Sequence, residues 1–472
     1  MFQQLEYAEQ TTIKGLLGRP PAMVGADAQV PVVTGGKRRY VNLDYAASAP
    51  CLTSVRDAVA ALLPWYSSVH RGTGYKSQLT TSAYEGARDA VHSFIGARPD
   101  DAVVFTRNTT DAINLLAAAL PADTEVFTFA AEHHANLLPW RRRRVTHLPV
   151  PGSPEQALEL LQTALAAARS ENLLVAVTGA SNVTGEIWPY AEIAPLAHRY
   201  GARVFVDAAQ LAPHRIIDMA ADGIDYLALS GHKLYAPFGA GALIGRSDWL
   251  AAGEPFLAGG GAVRYVGLDE VLWADLPDRQ EAGSPNVVGA VALGVACRTL
   301  QAADREMLAT HEAELIDLAQ ERLGAVPGVE QYRMWAVGSP RIGVLPFNLS
   351  TVPYAQLAAV LSAEYGIGVR HGCFCAHPLM VALLGIDPAA DADIYRSLTK
   401  GDTMAMPGAV RLSLGLGTSR HDVEALLEAV ETVATDGPRW SYQSSPDGTD
   451  CWPDPDLRPG PALPFELSLE RR

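Results

Sequence analysis

Lysine and cysteine are both scarce in this chain, with five of each in 472 residues. The cysteines (Cys51, Cys297, Cys373, Cys375 and Cys451) are odd in number and widely spread apart from one close pair. That pattern excludes the disulfide framework of a small secreted domain and makes free thiols the expectation. Charge is sparse too: 19% of residues are charged against 48% hydrophobic, as in a soluble globular protein. A formal charge of −15 argues against nucleic acid or an anionic membrane as partner, because neutralising phosphates needs clustered Lys and Arg. The one basic run, Arg141 to Arg144, is short and is expected to solvate a helix end. No apolar stretch reaches the length of a bilayer span, and the opening MFQQLEYAEQ lacks a basic n-region and an apolar h-region. A cytoplasmic protein is therefore expected.

A chain of this length exceeds one ordinary core. The expected division is an N-terminal extension (1–40), a large domain (41–290), a smaller C-terminal domain (291–435) that recruits part of the N-terminal segment, and a Pro- and Asp-rich tail (436–472) with little periodicity, read as a candidate for disorder. Between residues 100 and 245, short β-branched runs (102–106, 125–129, 172–179, 202–207, 225–230, 241–245) alternate with helical spacing, for example over 154–169 and 190–200. This is the α/β signature of a mostly parallel, doubly wound sheet. After Gly283, Ser284 and Pro285, an Ala- and Leu-rich stretch over 287–324 predicts a bridging helix. The smaller, α+β domain follows, with strands over 344–350 and 409–415 and helices over 354–365 and 419–434.

Ligands of an open parallel sheet bind beyond the carboxyl ends of its strands, so the polar residues after each run are the candidates. Four lysines lie in segments that read as surface or loop, whereas Lys233 directly follows DYLALS in SGHKLYAPFGAGAL. An apolar setting lowers an amine's pKa and makes it nucleophilic toward an aldehyde; a strand-end lysine reaching solvent is the plainer reading. Ser230, His232 and the glycine-rich turn favour the first, since hydroxyl, imidazole and bare backbone suit a phosphate. Asp207 ends ARVFVD, where a carboxylate either pairs with a protonated pyridine nitrogen or caps the next helix; Gln210 follows within reach of the same ring. Thr110 opens a helix whose first amides form an anion site or an ordinary N-cap. His133 and His134 are candidates for a ring-stacking proton shuttle, metal ligands or plain loop residues. VRHGCFCAHPLM (369–380) reads as a mobile loop; its Cys373, Cys375 and His377 lack a second ligand pair, so thiol chemistry is favoured over zinc and no metal is expected.

In this order NLDYAASAP, FTRNTTDAINL, AEHHANLLPW, SNVTGE, VFVDAAQLAPH, SGHKLYAPFGAG, EAGSPN, VRHGCFCAHP and VRLSLG resemble the cysteine desulfurase and selenocysteine lyase branch of the class V aminotransferases. The resemblance implies the fold type I architecture of pyridoxal 5'-phosphate enzymes and a homodimer. It implies that Lys233 holds the cofactor covalently, that Asp207 and Gln210 face its ring, that His133 stacks on it, and that Thr110, Ser230 and His232 bind its phosphate. Ser284 is implied to reach the partner's cofactor. Arg411, with Asn182 and Arg370, is implied to take an amino-acid substrate's carboxylate. Cys375 is implied to accept sulfur or selenium from L-cysteine or L-selenocysteine, giving alanine, with a sulfur-acceptor protein as a further partner. The alternative is another class V enzyme: a carbon-sulfur β-lyase, epimerase or aminotransferase. Two departures stand out: Cys373 and Phe374 replace a polar pair, and Arg264 and Tyr265 follow the glycines at 259–261, where they are expected to reshape the pocket.

Overall fold

β-Branched and aromatic residues pack well on a pleated surface, and runs buried on both faces read as continuous apolar strings. The computed structural model describes residues 20–404 and 406–465; Lys14, the rest of residues 1–19 and residues 466–472 of the tail lie outside the described residues. All six expected runs form strands, joined by a seventh. They are β1 (Ala102–Thr106), β2 (Glu125–Phe129), β3 (Arg144–Leu148), β4 (Leu173–Thr178), β5 (Ala202–Asp207), β6 (Tyr226–Ser230) and β7 (Gly241–Gly245). The sheet order is β1-β7-β6-β5-β4-β2-β3. β7 runs antiparallel to both neighbours and the other pairs are parallel, so six strands direct their carboxyl ends to one edge.

β3 is the strand the pattern hides. The basic run at 141–144 ends a short 3-10 turn (Pro139–Arg142), and its last member, Arg144, begins β3. An edge strand tolerates charge, which erases the apolar signature. The bridging stretch is two helices, α2 (Val287–Ala302) and α3 (Arg305–Ala325), meeting at 85°. The break falls at Asp304, whose carboxylate accepts the Met307 N–H at 3.0 Å and caps α3. Among the described residues, no single helix is long and apolar enough to cross a membrane.

The smaller sheet has order β8-β9-β11-β10, all antiparallel, from β8 (Val329–Gln331), β9 (Val344–Leu349), β10 (Arg370–Gly372) and β11 (Ala409–Ser413). Its core joins α3, α4 (Tyr354–Tyr365) and the last long helix (Arg420–Asp436). The N-terminal segment enters this domain through Val41–Asn42, parallel to Ile367–Gly368.

Two expectations are corrected. The stretch 369–380 is not simply a loop: it contains strand β10, a tight turn over Cys373–Ala376 and the helix α5 (His377–Leu383). Nor is the tail without structure. Tyr442–Ser444 and Cys451–Pro453 form an antiparallel hairpin. The buried Glu364 on α4 anchors the segment by accepting from Arg439 N (3.1 Å), Trp440 N (3.2 Å) and the Tyr442 hydroxyl (3.0 Å). Local periodicity cannot report a tie made to a residue more than seventy positions away. Glu364→Ala strands three donors and is expected to cost about 2–3 kcal/mol. The checks are a lowered urea midpoint and faster tryptic cleavage at Arg439.

Candidate active site

The carboxyl ends of β1, β2, β4, β5 and β6 meet the β10–α5 turn around a cavity of about 340 Å³. α1 (Thr109–Ala119) starts here, with Asn108 as N-cap accepting the Asp111 N–H at 2.9 Å. Ser230, the last residue of β6, receives the Thr109 N–H at 2.8 Å and lies 2.8 Å from the Thr109 hydroxyl, fixing the start of α1 against the sheet. Gly231 lets the turn after β6 close against the residue before β7, since a Cβ there would sit 2.7 Å from the Ala240 carbonyl. Thr110, Ser230 and His232 thus line one end of the cavity beside the first amides of α1, an arrangement suited to an anion.

Lys233 and Asp207 line the same cavity. Burial pulls the lysine down from 10.5 to about 8; the Asp207 charge opposes that shift and Arg411 adds to it. Burial raises Asp207, against the pull of the Ala209 N–H at 2.9 Å and of Lys233. Gln210 donates to the Ala46 carbonyl at 2.8 Å, which places its amide at the cavity wall with one N–H to spare.

His133 lines the cavity; His134 does not. His133 Nδ1 accepts the Ala135 N–H at 3.0 Å, so the ring proton sits on Nε2, and burial together with Lys233 lowers its pKa to about 3. The imidazole is neutral throughout the physiological range. Beneath it lies a polar chain absent from the sequence reading. Glu132, fully buried, accepts from Thr178 N (2.9 Å) and Asn136 Nδ2 (2.8 Å), and the Asn136 carbonyl accepts from Trp140 Nε1 (2.9 Å). Burial lifts Glu132 to about 8 against those donors.

Arg411 is buried, with Nη1 on the Asn182 carbonyl at 2.8 Å, Nη2 3.3 Å from Asp44 Oδ1, and Nε without a partner among the described residues. Burial lowers its pKa to about 10, and Asp44 works against the drop. Asp44 also holds the half-exposed Arg370, Nη2 to Oδ2 at 2.9 Å. Two guanidinium groups therefore share one carboxylate at the cavity wall. An unpartnered buried Nε beside them is suited to a ligand carboxylate. Asp44, like Glu132, is a residue of the site that residue-by-residue reasoning missed; its signal was its place in NLDYAASAP.

Phe374 and Cys375 both adopt φ of +54°, and the Ala376 N–H closes the turn on the Cys373 carbonyl at 3.0 Å. Left-handed backbone at two non-glycine residues costs about 1–3 kcal/mol each. Anchors offset it: Asn182 Nδ2 donates to the Phe374 carbonyl (2.8 Å), His134 N to the Cys375 carbonyl (2.7 Å), and His377 N to His134 Nε2 (3.1 Å). The Arg411 guanidinium lies 4.9 Å from the Phe374 ring centroid. The turn holds the exposed Cys375 at the cavity mouth.

Thr110, His133, Asn182, Asp207, Gln210, Ser230, His232, Lys233, Arg370, Cys375 and Arg411 thus converge on one cavity. Ser284 does not; it lies exposed in a separate cavity of about 440 Å³ with His70, Arg71, Gly260 and Gly261. Arg264 and Tyr265 also stand apart, on an exposed hairpin (Val263–Val266 with Val271–Trp273) that lines no wall of the Lys233 cavity in this chain.

An open α/β sheet with a desolvated lysine and aspartate at its carboxyl edge, closed by a second domain that brings arginine and a thiol, defines a two-domain fold with a lysine-centred ligand site. The aminotransferase class-V family model matches residues 41–426, and the chain belongs to that family. It is 37% identical to a probable cysteine desulfurase of Halalkalibacterium halodurans over 78% of this chain and 91% of that protein. To a cysteine desulfurase of Dickeya dadantii it is 40% identical, over 72% and 83%. The structure is similar to a crystal structure of an Escherichia coli cysteine desulfurase (TM-score 0.70, 33% identity, 83% of this chain and 94% of that one). It is also similar to an apo cysteine desulfurase from Thermococcus onnurineus (TM-score 0.73, 30% identity, 84% and 94%).

A lysine amine depressed to about 8 is expected to become reactive more than two pH units before an ordinary one at 10.5. Competitive acylation followed by peptide mapping checks this: Lys233 labelling should have its midpoint near pH 8. Between those pKa values the unfolded chain binds the proton and the folded chain does not, so this group's contribution to stability rises with pH.

Proposed function

We propose that this chain is a pyridoxal 5'-phosphate-dependent cysteine desulfurase that moves sulfur from L-cysteine, or selenium from L-selenocysteine, onto Cys375 and leaves alanine. The observation that carries the reading is a single cavity holding a desolvated amine, a buried carboxylate, an anion-binding helix start, an arginine with an open N–H and an exposed thiol. These residues fit the cofactor: an amine for its aldehyde, Asp207 for its pyridine nitrogen, and α1 amides with Thr110, Ser230 and His232 for its phosphate. When bound, pyridoxal 5'-phosphate supplies a carbonyl that joins amines and an electron-poor ring that takes up the electrons of a substrate carbanion.

Each residue then has a task. Arg411, with Asn182 and Arg370, orients the substrate carboxylate; Asp44 is the counter-ion that the carboxylate must share. The Lys233 amine, neutral in an appreciable fraction near pH 8, takes the substrate's α-proton. His133 presents a neutral imidazole whose Nε2–H is available for donation, and Gln210 has one amide N–H for the ring's oxygen. The Cys375 thiolate attacks the substrate's sulfur: a sulfur–sulfur bond forms, the carbon–sulfur bond breaks with its electron pair left on carbon, and that carbon gains a proton to become the methyl group of alanine. Ser284, exposed and outside the Lys233 cavity, fits a role at the partner's cofactor in a homodimer. The reading includes a cytoplasmic setting and a sulfur-acceptor protein that meets Cys375.

Cys375→Ser is expected to keep the cofactor's absorbance but lower alanine formation from L-cysteine by about a hundredfold or more; full activity in that variant would refute sulfur transfer to Cys375. Pyruvate and ammonia in place of alanine would indicate a carbon-sulfur β-lyase instead. Arg411→Lys replaces a planar fork by a point charge, and KM for cysteine should rise about tenfold with a smaller change in kcat. Sedimentation equilibrium should give twice the chain mass, and Ser284→Ala should weaken cofactor retention without altering that mass.

A further inference from the structure

The second thiol of the turn has no part in the chemistry above. Cys373 and Cys375 occupy the first and third positions of a turn closed by Ala376 N on the Cys373 carbonyl, with both central residues at φ of +54°. That curl matches the I′ turn and brings alternate Cα atoms to about 5–6 Å, inside the window a disulfide requires. The turn is held from outside by Asn182, His134 and His377, so the closeness does not depend on the thiols themselves. Cys373 is half-buried and donates to the Pro407 carbonyl at 2.7 Å, whereas Cys375 is exposed at the cavity mouth. Burial, then the neighbouring Cys375, raises the Cys373 thiol.

We propose that Cys373 is a resolving thiol that discharges the sulfur carried by Cys375 as sulfide. The inference rests on the desulfurase reading. The Cys373 sulfur, once it has lost its proton, attacks Cys375 Sγ in the Cys375–Sγ–SH group. A Cys373–Cys375 bond forms, the bond to the outer sulfur breaks with its electron pair, and that sulfur leaves as hydrosulfide and takes up the released proton. Two thiols are oxidised to a disulfide while the transferred sulfur is reduced to sulfide, so no external oxidant is needed. A dithiol reductant then restores the pair. The chain would thereby deliver free sulfide to dithiol-linked metabolism instead of only handing sulfur to a protein acceptor.

The test is a single turnover of holoenzyme with L-cysteine and no added thiol, reading alanine, free sulfide, and the mass of the tryptic peptide that runs from residue 371 to Arg396. Wild type should release sulfide equal to alanine, with the peptide lighter by two hydrogens. Cys373→Ser, and Cys373→Ala as a second variant, should form the same alanine but retain the peptide heavier by one sulfur, with sulfide release slowed at least about tenfold until dithiothreitol is added. Equal sulfide release by these variants, or a wild-type peptide that keeps the extra sulfur, would overturn the proposal. If wild type forms no alanine, the desulfurase reading fails. The thiol pair is then decided by 2,2′-dipyridyl disulfide: wild type should yield the internal disulfide on that peptide and Cys373→Ser the mixed disulfide at Cys375. A mixed disulfide in both would overturn it.

Discussion

The amine of Lys233 and the carboxylate of Asp207 are held out of water at the carboxyl edge of one sheet, and most of the site is arranged around that desolvation. Each group alone is costly to bury, and each partly offsets the other across the cavity. A parallel sheet makes the arrangement possible because β4, β5 and β6 end together, with their ladders fully bonded below and their polar residues free above. The neutral His133 belongs to the same constraint: burial and, after it, the Lys233 charge suppress its protonation, and the Glu132–Asn136–Trp140 chain fixes the loop that carries it. The result is a pocket whose proton inventory is set by burial more than by hydrogen bonding.

The thiol side obeys a different constraint. A turn with two left-handed non-glycine residues persists only when its surroundings over-determine it. Here two of the supports come from the large domain, where Asn182 follows β4 and His134 follows β2, while Arg411 on β11 of the smaller sheet lies over Phe374. The turn also packs into the large-domain core through Phe374, Ala376 and Leu379. Cys375 therefore belongs by chain position to the smaller domain and by contacts to the larger one. Asp44 makes the same kind of bridge, since the N-terminal segment that carries it pairs with Ile367–Gly368 of the smaller domain while Ala46 meets Gln210 of the large domain. The C-terminal hairpin adds an outer brace, with the Thr449 carbonyl accepting from His371 Nε2 on β10 at 3.0 Å.

The sheet, its strands and the lysine, aspartate and histidine that border it could be read in the sequence because each sits within a few residues of a strand end, and strand ends are announced by local composition. What periodicity could not report was every feature whose partner lies far along the chain: the edge strand β3 under its charges, the break before Asp304, the hairpin tied to Glu364, the shared use of Asp44 by Arg370 and Arg411, and the exposed placement of Arg264 and Tyr265. Residue order thus determined which chemical groups are available and on which strand or turn each one rides, because backbone propensity and apolar spacing act over a few residues. Tertiary structure alone decided which groups share one cavity, which charges are stripped of water and which thiol faces the opening, because burial and Coulomb interaction depend on distance through space and not along the chain.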